Sequence, residues 1–172
     1  MRKCGWNGSL LYHEEANMKW FIILSAILLS YSVAATAQSY QYQSNQKDER
    51  YFVFDPNAGK WTAYLNGHKV ASGRANGGRP GLKTPSGTFH IYTKKGPDYL
   101  SSKYPINPDG TRGGAPMPYA MHFTNSGHAI HGAPSLSRDN STHGCIRVKT
   151  SSAKWLSEKF MTPSTKIVVY SY

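Results

Sequence analysis

The chain has 172 residues, with 20 Lys and Arg against 9 Asp and Glu, a formal charge of +11 and two cysteines. That length accommodates one compact domain, and 39% hydrophobic with 13% aromatic content supplies a core and excludes wholesale disorder. Two cysteines exclude a disulfide-dense scaffold, while 16 Gly and 10 Pro argue against a helical bundle and for short strands joined by turns. The positive charge suits either simple solubility or a polyanionic partner such as nucleic acid, an envelope polymer or a membrane face, and charge alone does not separate these.

Lys19 precedes an apolar run from Trp20 to Leu29, and smaller residues follow to Ala35-Thr36-Ala37. A basic start, a short apolar stretch and a small-x-small ending predict a secretory signal peptide over 18–37. A membrane anchor is the competing reading, but the apolar part falls short of the about 20 residues that a span requires. No cysteine lies near the cut to carry a lipid. Residues 1–17 show no periodicity, and Met18-Lys19 is itself a normal signal-peptide start, so 1–17 reads as an upstream extension. Removing residues 1–37 takes away three cations, two anions and Cys4, which leaves 135 residues, a charge of +10 and one thiol, Cys145. A solitary cysteine in an exported chain is an intermolecular link, an inert buried thiol or a nucleophile.

The polar stretch Gln38–Gln46 predicts a tether, and residues 38–50 are read as a linker to a domain over 51–172. Tyr51–Phe54 reads as a strand ended by Asp55-Pro56-Asn57-Ala58-Gly59. Trp61–Leu65 and His68–Ala75 flank Asn66-Gly67, a strong two-residue hairpin turn. Gly87–Lys94 alternates, with Phe89 and Ile91 on one face and His90 and Tyr92 on the other. Tyr119–Thr124 alternates as well, and both read as half-buried strands. Pro97–Pro118 is rich in Gly, Pro and polar residues and predicts a long, substrate-facing loop. One helix is expected, capped by Ser151 or Ser152, with Ala153, Leu156 and Phe160 at helical spacing and Pro163 just past its end. Lys166–Tyr170 is the closing strand.

The chemistry gathers in Gly127-His128-Ala129-Ile130-His131-Gly132 and in Thr142-His143-Gly144-Cys145-Ile146-Arg147-Val148. A thiol needs a base to act as a nucleophile at neutral pH, and a histidine brought close by the fold supplies it. Backbone N–H groups beside the nucleophile stabilise an oxyanion, and Gly144 lets the backbone approach a substrate. A metal site built from His128, His131, His143 and Cys145 is the alternative. A strand over 128–131 would place His128 and His131 on opposite faces, which argues against it, so no metal and no cofactor is expected. The scattered basic residues and the 12 Tyr form no stacking or groove-reading motif, so no nucleic-acid partner is expected.

These motifs resemble the L,D-transpeptidase catalytic domain family of bacterial cell-wall enzymes. His131-Gly132, a spacer and Thr142-His143-Gly144-Cys145-Ile146-Arg147 match its signature. Thr84-Pro85-Ser86-Gly87 is similar to its turn into a strand, as is Pro116-Met117-Pro118-Tyr119 ahead of another. The spacer from His131 to His143 looks shorter than in many members. The resemblance implies a mainly β fold, a β-sandwich of mixed sheets with one or two short helices. It implies Cys145 as nucleophile, His131 as base, the Gly132 carbonyl as orienter of that ring, and the backbone of His143, Gly144 and Cys145 as oxyanion hole. His143 either orients the site or packs. Arg147 either binds a substrate carboxylate or forms a structural ion pair, and His122 borders the cleft. The implied partner is a peptidoglycan stem peptide. The acyl acceptor is another stem amine, water or a Lys of an envelope protein. The place of action is the periplasm or cell envelope, without stable membrane insertion.

Overall fold

The computed structural model describes residues 48–172, so the upstream extension, the signal peptide and the linker up to residue 47 lie outside the described residues. Asp48 and Glu49 are already tied to the domain, Asp48 by an ion pair to Arg50 and Glu49 by its N–H to Asn66 Oδ1. Nine strands follow: β1 (Arg50–Asp55), β2 (Lys60–Leu65), β3 (His68–Asn76), β4 (Gly87–His90), β5 (Thr93–Lys94), β6 (Met121–His122), β7 (Ala129–Ala133), β8 (Ile146–Lys149) and β9 (Lys166–Val169). One short helix, α1 (Thr150–Trp155), widens into a π-helical turn over Leu156–Phe160.

The turn between β2 and β3 follows directly from its residues. Asn66 and Gly67 both take positive φ, 51° and 80°, the geometry whose twist matches the two flanking strands. In β1 and β2 every second residue is buried, which puts Phe52, Phe54, Trp61 and Ala63 into the core.

The strands form one mixed sheet in the order β4-β9-β1-β2-β3-β8-β7-β6-β5. The pairs β1–β9 and β7–β8 are parallel. Only Ile91 and Tyr92 separate the edge strand β4 from the opposite edge strand β5. A connection that short forces the sheet to curl until its two edges lie side by side. The two layers expected of a sandwich are therefore the two arms of one curled sheet. Strand β3 serves both, pairing along most of its length with β2 and at Ala75 and Asn76 with β8. Phe52, Phe54 and Ile167 of one arm pack with Ile130, Ile146 and Val148 of the other, and Ala153, Leu156 and Phe160 close the same cluster.

Several local expectations change. The alternation of Gly87–Lys94 is one strand in pattern but two in the fold, because the chain crosses between sheet edges at Ile91-Tyr92. Tyr119–Thr124 is not half-buried: both Met121 and Ala120 are fully buried, His122 is 8% exposed, and only Met121-His122 pairs as strand. Covering on both faces removes the solvent side that the alternation implied. Ser151 and Ser152 sit inside the first turn of α1, whose N-cap is Lys149 without a side-chain cap. At its far end, Lys94 Nζ donates to the carbonyls of Ser157 and Met161 at 2.6 and 2.5 Å, filling the role of a C-terminal cation.

Candidate active site

Strands β7 and β8 run parallel in a register that sets His131 beside Arg147 and Ile130 beside Ile146. Side chains alternate along each strand. Ile130, Ile146 and Val148 therefore point into the core, and His131, Ala133, Cys145 and Arg147 point the other way, into a cavity of about 690 Å³. Residues 14 positions apart in the chain thus share one wall. Cys145 keeps part of its surface open to this cavity and rests against a small apolar cluster of Met117, Ala120 and Ala129.

His131 is 6% exposed. Its Nδ1 donates to the Gly132 carbonyl at 3.0 Å. A carbonyl only accepts, so the ring proton sits on Nδ1 and Nε2 carries the free lone pair. Burial holds His131 down at about 4, with the nearby charge of Arg147 adding to the shift. Burial pushes the Cys145 thiol up, opposed by a backbone hydrogen bond with Ala129 and by the charges of Arg147 and Lys103. Both groups therefore rest neutral at pH 7.

The segment leading to Cys145 is pinned from outside. Thr142, 1% exposed, receives on its carbonyl the Arg79 N–H and gives its own N–H to the Gly77 carbonyl, each at 3.0 Å. Its Oγ1 accepts the Gly144 N–H at 3.0 Å and donates to the Cys145 carbonyl at 2.6 Å. This alters the expected oxyanion hole: the Gly144 N–H is taken up by Thr142, while those of His143 and Cys145 have no such partner among the described residues. Gly144 has φ +108°, open only to glycine without strain.

The loop over 97–118 faces the cavity through Tyr99, Lys103, Tyr104 and Met117. Tyr104 stacks on His143 with ring centroids 4.0 Å apart and planes at 17°. His143 thereby fastens the loop to the segment that carries Cys145. Lys103 Nζ donates to the Ser126 carbonyl beside it. His122 lines the same cavity, edge-on to Tyr99, and its Nδ1 is buried without a partner among the described residues. Arg147 makes no ion pair among the described residues, and no Asp or Glu lines the cavity, whereas Lys103 and Arg147 do. His68 and His90 are exposed.

His128 precedes β7 instead of belonging to it, and it lines the cavity together with His131. The opposite-faces argument against a metal site does not hold for this pair. Among the described residues, no three His, Cys, Asp or Glu side chains converge as metal ligands. From the sequence, His128 has a place only as such a ligand, Thr142 only as the opening residue of the motif, and Tyr104 and Lys103 carry no signal beyond lying in the 97–118 loop.

Residues 45–169 match the family model of the L,D-transpeptidase catalytic domain. The chain is 33% identical over 89 residues to a probable L,D-transpeptidase 3 of Mycobacterium tuberculosis, covering 47% of this chain and 32% of that protein. It is 31% identical over 101 residues to L,D-transpeptidase 1 of the same species, covering 55% and 40%. It therefore spans about a third to two fifths of the curated relatives it matches. Among solved structures, an L,D-transpeptidase from Mycobacterium smegmatis superposes with a TM-score of 0.62 at 26% identity, covering 72% of this chain and 59% of that one. The L,D-transpeptidase LdtMt1 in complex with imipenem gives a TM-score of 0.62 at 29% identity with the same coverage.

Proposed function

The chain belongs to the L,D-transpeptidase catalytic domain family, and from that premise we propose that it is an exported cysteine acyltransferase acting on peptidoglycan stem peptides in the periplasm or cell envelope. The observation that carries this reading is the placement of Cys145 and His131 on one wall of a cavity lined by two cations and no carboxylate. Such a cavity suits a peptide whose free ends are carboxylates. No helix among the described residues is long and apolar enough to cross a membrane.

In the proposed reaction the Cys145 sulfur bonds to the carbonyl carbon of the third stem residue while its proton passes to His131 Nε2. The carbonyl electron pair moves onto oxygen. The carbonyl then re-forms, the C–N bond breaks, and the departing D-Ala amine takes the proton from His131, leaving a thioester. An acceptor amine gives up its proton to His131 as it attacks the thioester, the C–S bond breaks, and the departing Cys145 sulfur takes that proton from His131, which creates a cross-link. Water in the same place yields carboxypeptidase activity, and a protein Lys yields anchoring. In this reading Arg147, in register with His131, holds a substrate carboxylate.

Incubating the mature protein with purified muropeptides and reading the products by mass spectrometry tests this, because it reports both the cut bond and the acceptor. Loss of terminal D-Ala, abolished in Cys145→Ala and Cys145→Ser, is the expected result. A mass adduct of imipenem on Cys145 is expected alongside it. Wall binding with no thioester and no sensitivity to Cys145 substitution would identify a non-catalytic module instead.

A further inference from the structure

The oxyanion that forms during acyl transfer needs donors, and one of the expected three is unavailable, since Gly144 N–H is bound to Thr142 Oγ1 at 3.0 Å. What covers Gly144 on its open face is an imidazole. A Cβ placed on Gly144 would lie 2.6 Å from His128 Cδ2 and 2.7 Å from His128 Nε2. The ring edge of His128 therefore rests on the residue immediately before the nucleophile, inside the cavity that Cys145 faces.

The ring is held from its other side. Nδ1 lies 2.8 Å from Thr124 Oγ1 and 3.0 Å from Ser126 Oγ, and Thr124 Oγ1 also accepts the His128 backbone N–H at 3.0 Å. Either hydroxyl can donate to Nδ1, and with one doing so the ring hydrogen is carried on Nε2, at the edge that meets Gly144. Burial and the charge of Lys103 keep the ring neutral, and Lys103, His128 and Cys145 line the same cavity.

Building on the acyl-transfer reading, we propose that His128 Nε2–H is an oxyanion donor, replacing the backbone N–H that Thr142 occupies. When the sulfur–carbon bond forms and the carbonyl pair moves onto oxygen, this N–H meets the negative charge. The His128 proton stays on nitrogen throughout, and the thiol proton goes to His131. His128 and His131 thus divide the work, one stabilising charge and the other moving the proton. A preorganised donor of this kind acts on the transition state and leaves the resting thiol untouched.

That difference provides the test. p-Nitrophenyl acetate acylates a cysteine through a tetrahedral oxyanion, whereas iodoacetamide alkylates it without one. Both reagents are applied to the mature protein, with Cys145→Ala as background. His128→Phe keeps a flat ring over Gly144 but has no donor, and its acylation rate is expected to fall at least about tenfold with alkylation unchanged within about twofold. His128→Gln returns an N–H at similar reach and is expected to recover most of the loss. Thr124→Val, which leaves His128 in place and removes a hydroxyl from Nδ1, is expected to fall between wild type and His128→Phe. Equal acylation by wild type and His128→Phe, or parallel losses in acylation and alkylation, would overturn the proposal. Because neither reagent is a stem peptide, muropeptides left unaltered by wild type would count against the substrate assignment and not against the role of His128.

Discussion

Thr142 donates its hydroxyl to the Cys145 carbonyl at 2.6 Å, so the residue that opens the motif also fixes the backbone of its cysteine. The same oxygen accepts the Gly144 N–H, and the Thr142 backbone is bound to Gly77 and Arg79. Cys145 is thus held by hydrogen bonds reaching back past the end of β3.

Replacing Thr142 by Val keeps the shape and leaves a buried N–H and a buried carbonyl without that partner. The expected loss is about 2 kcal/mol, together with slower acylation of Cys145. Thr142→Ser retains the hydroxyl and is expected to stay within about 1 kcal/mol of wild type. Urea unfolding of the three proteins, read at a common slope, checks both values; a Val variant as stable as wild type would show that the oxygen is not needed.

His131 titrates near 6.5 when unfolded and at about 4 in the fold. Above pH 6.5 both states carry a neutral ring and stability does not depend on it. As pH falls from 6.5 to 4 the unfolded chain takes up a proton that the folded ring refuses, so stability drops, by about 3 kcal/mol in all, and levels off below. Burial depresses His122 and His128 as well, which adds in the same direction. His131→Gln is expected to flatten its share of this loss. The measurement is denaturant unfolding at pH 6.5 and 4.5, and an equally steep fall in the variant would refute the assignment.

Tyr104→Ala removes the stack on His143, an aromatic contact worth about 1 kcal/mol. The structural consequence is local, because the loop carrying Tyr104 is otherwise bound near the cavity rim by Lys103. Limited proteolysis within 100–114 is expected to accelerate, and KM for a stem tetrapeptide is expected to rise several-fold with kcat changed less. Unchanged proteolysis would mean that the stack does not fasten the loop.

Asn76, 2% exposed at the end of β3, donates its amide to the carbonyls of Ser137 and Asp139 at 2.9 and 3.0 Å. It therefore holds the segment between His131 and His143. Asn76→Ala is expected to cost about 2 kcal/mol and to speed amide hydrogen exchange over residues 135–141 relative to β1 and β2. Uniform exchange changes across the domain would point to global destabilisation instead.

The short-range features were legible because their causes are local. Asn66-Gly67 takes positive φ to join two strands, and Tyr51–Phe54 and Trp61–Leu65 are legible as the strands β1 and β2. The spacing of Ala153, Leu156 and Phe160 located the buried face of α1, although not its cap. The motif residues His131 and Cys145 were named from chemistry and resemblance, and strand alternation then accounts for their sharing a wall. Tyr119–Thr124 misled because alternation reports two environments only when one face meets water, and here both faces are covered.

By itself, then, the sequence determined a mainly β domain with its hairpin, its amphipathic strands and a histidine–cysteine motif. Tertiary structure alone decided that two edge strands two residues apart would curl the sheet into facing arms, that His143 would lie against Tyr104, that His128 would cover Gly144, and that Thr142 would occupy the Gly144 N–H. The physical reason is range. Turn geometry and burial period act over two to four residues and can be read along the chain. The partners of a cavity-lining side chain are set by how distant strands register and curl, and no neighbouring residue encodes that.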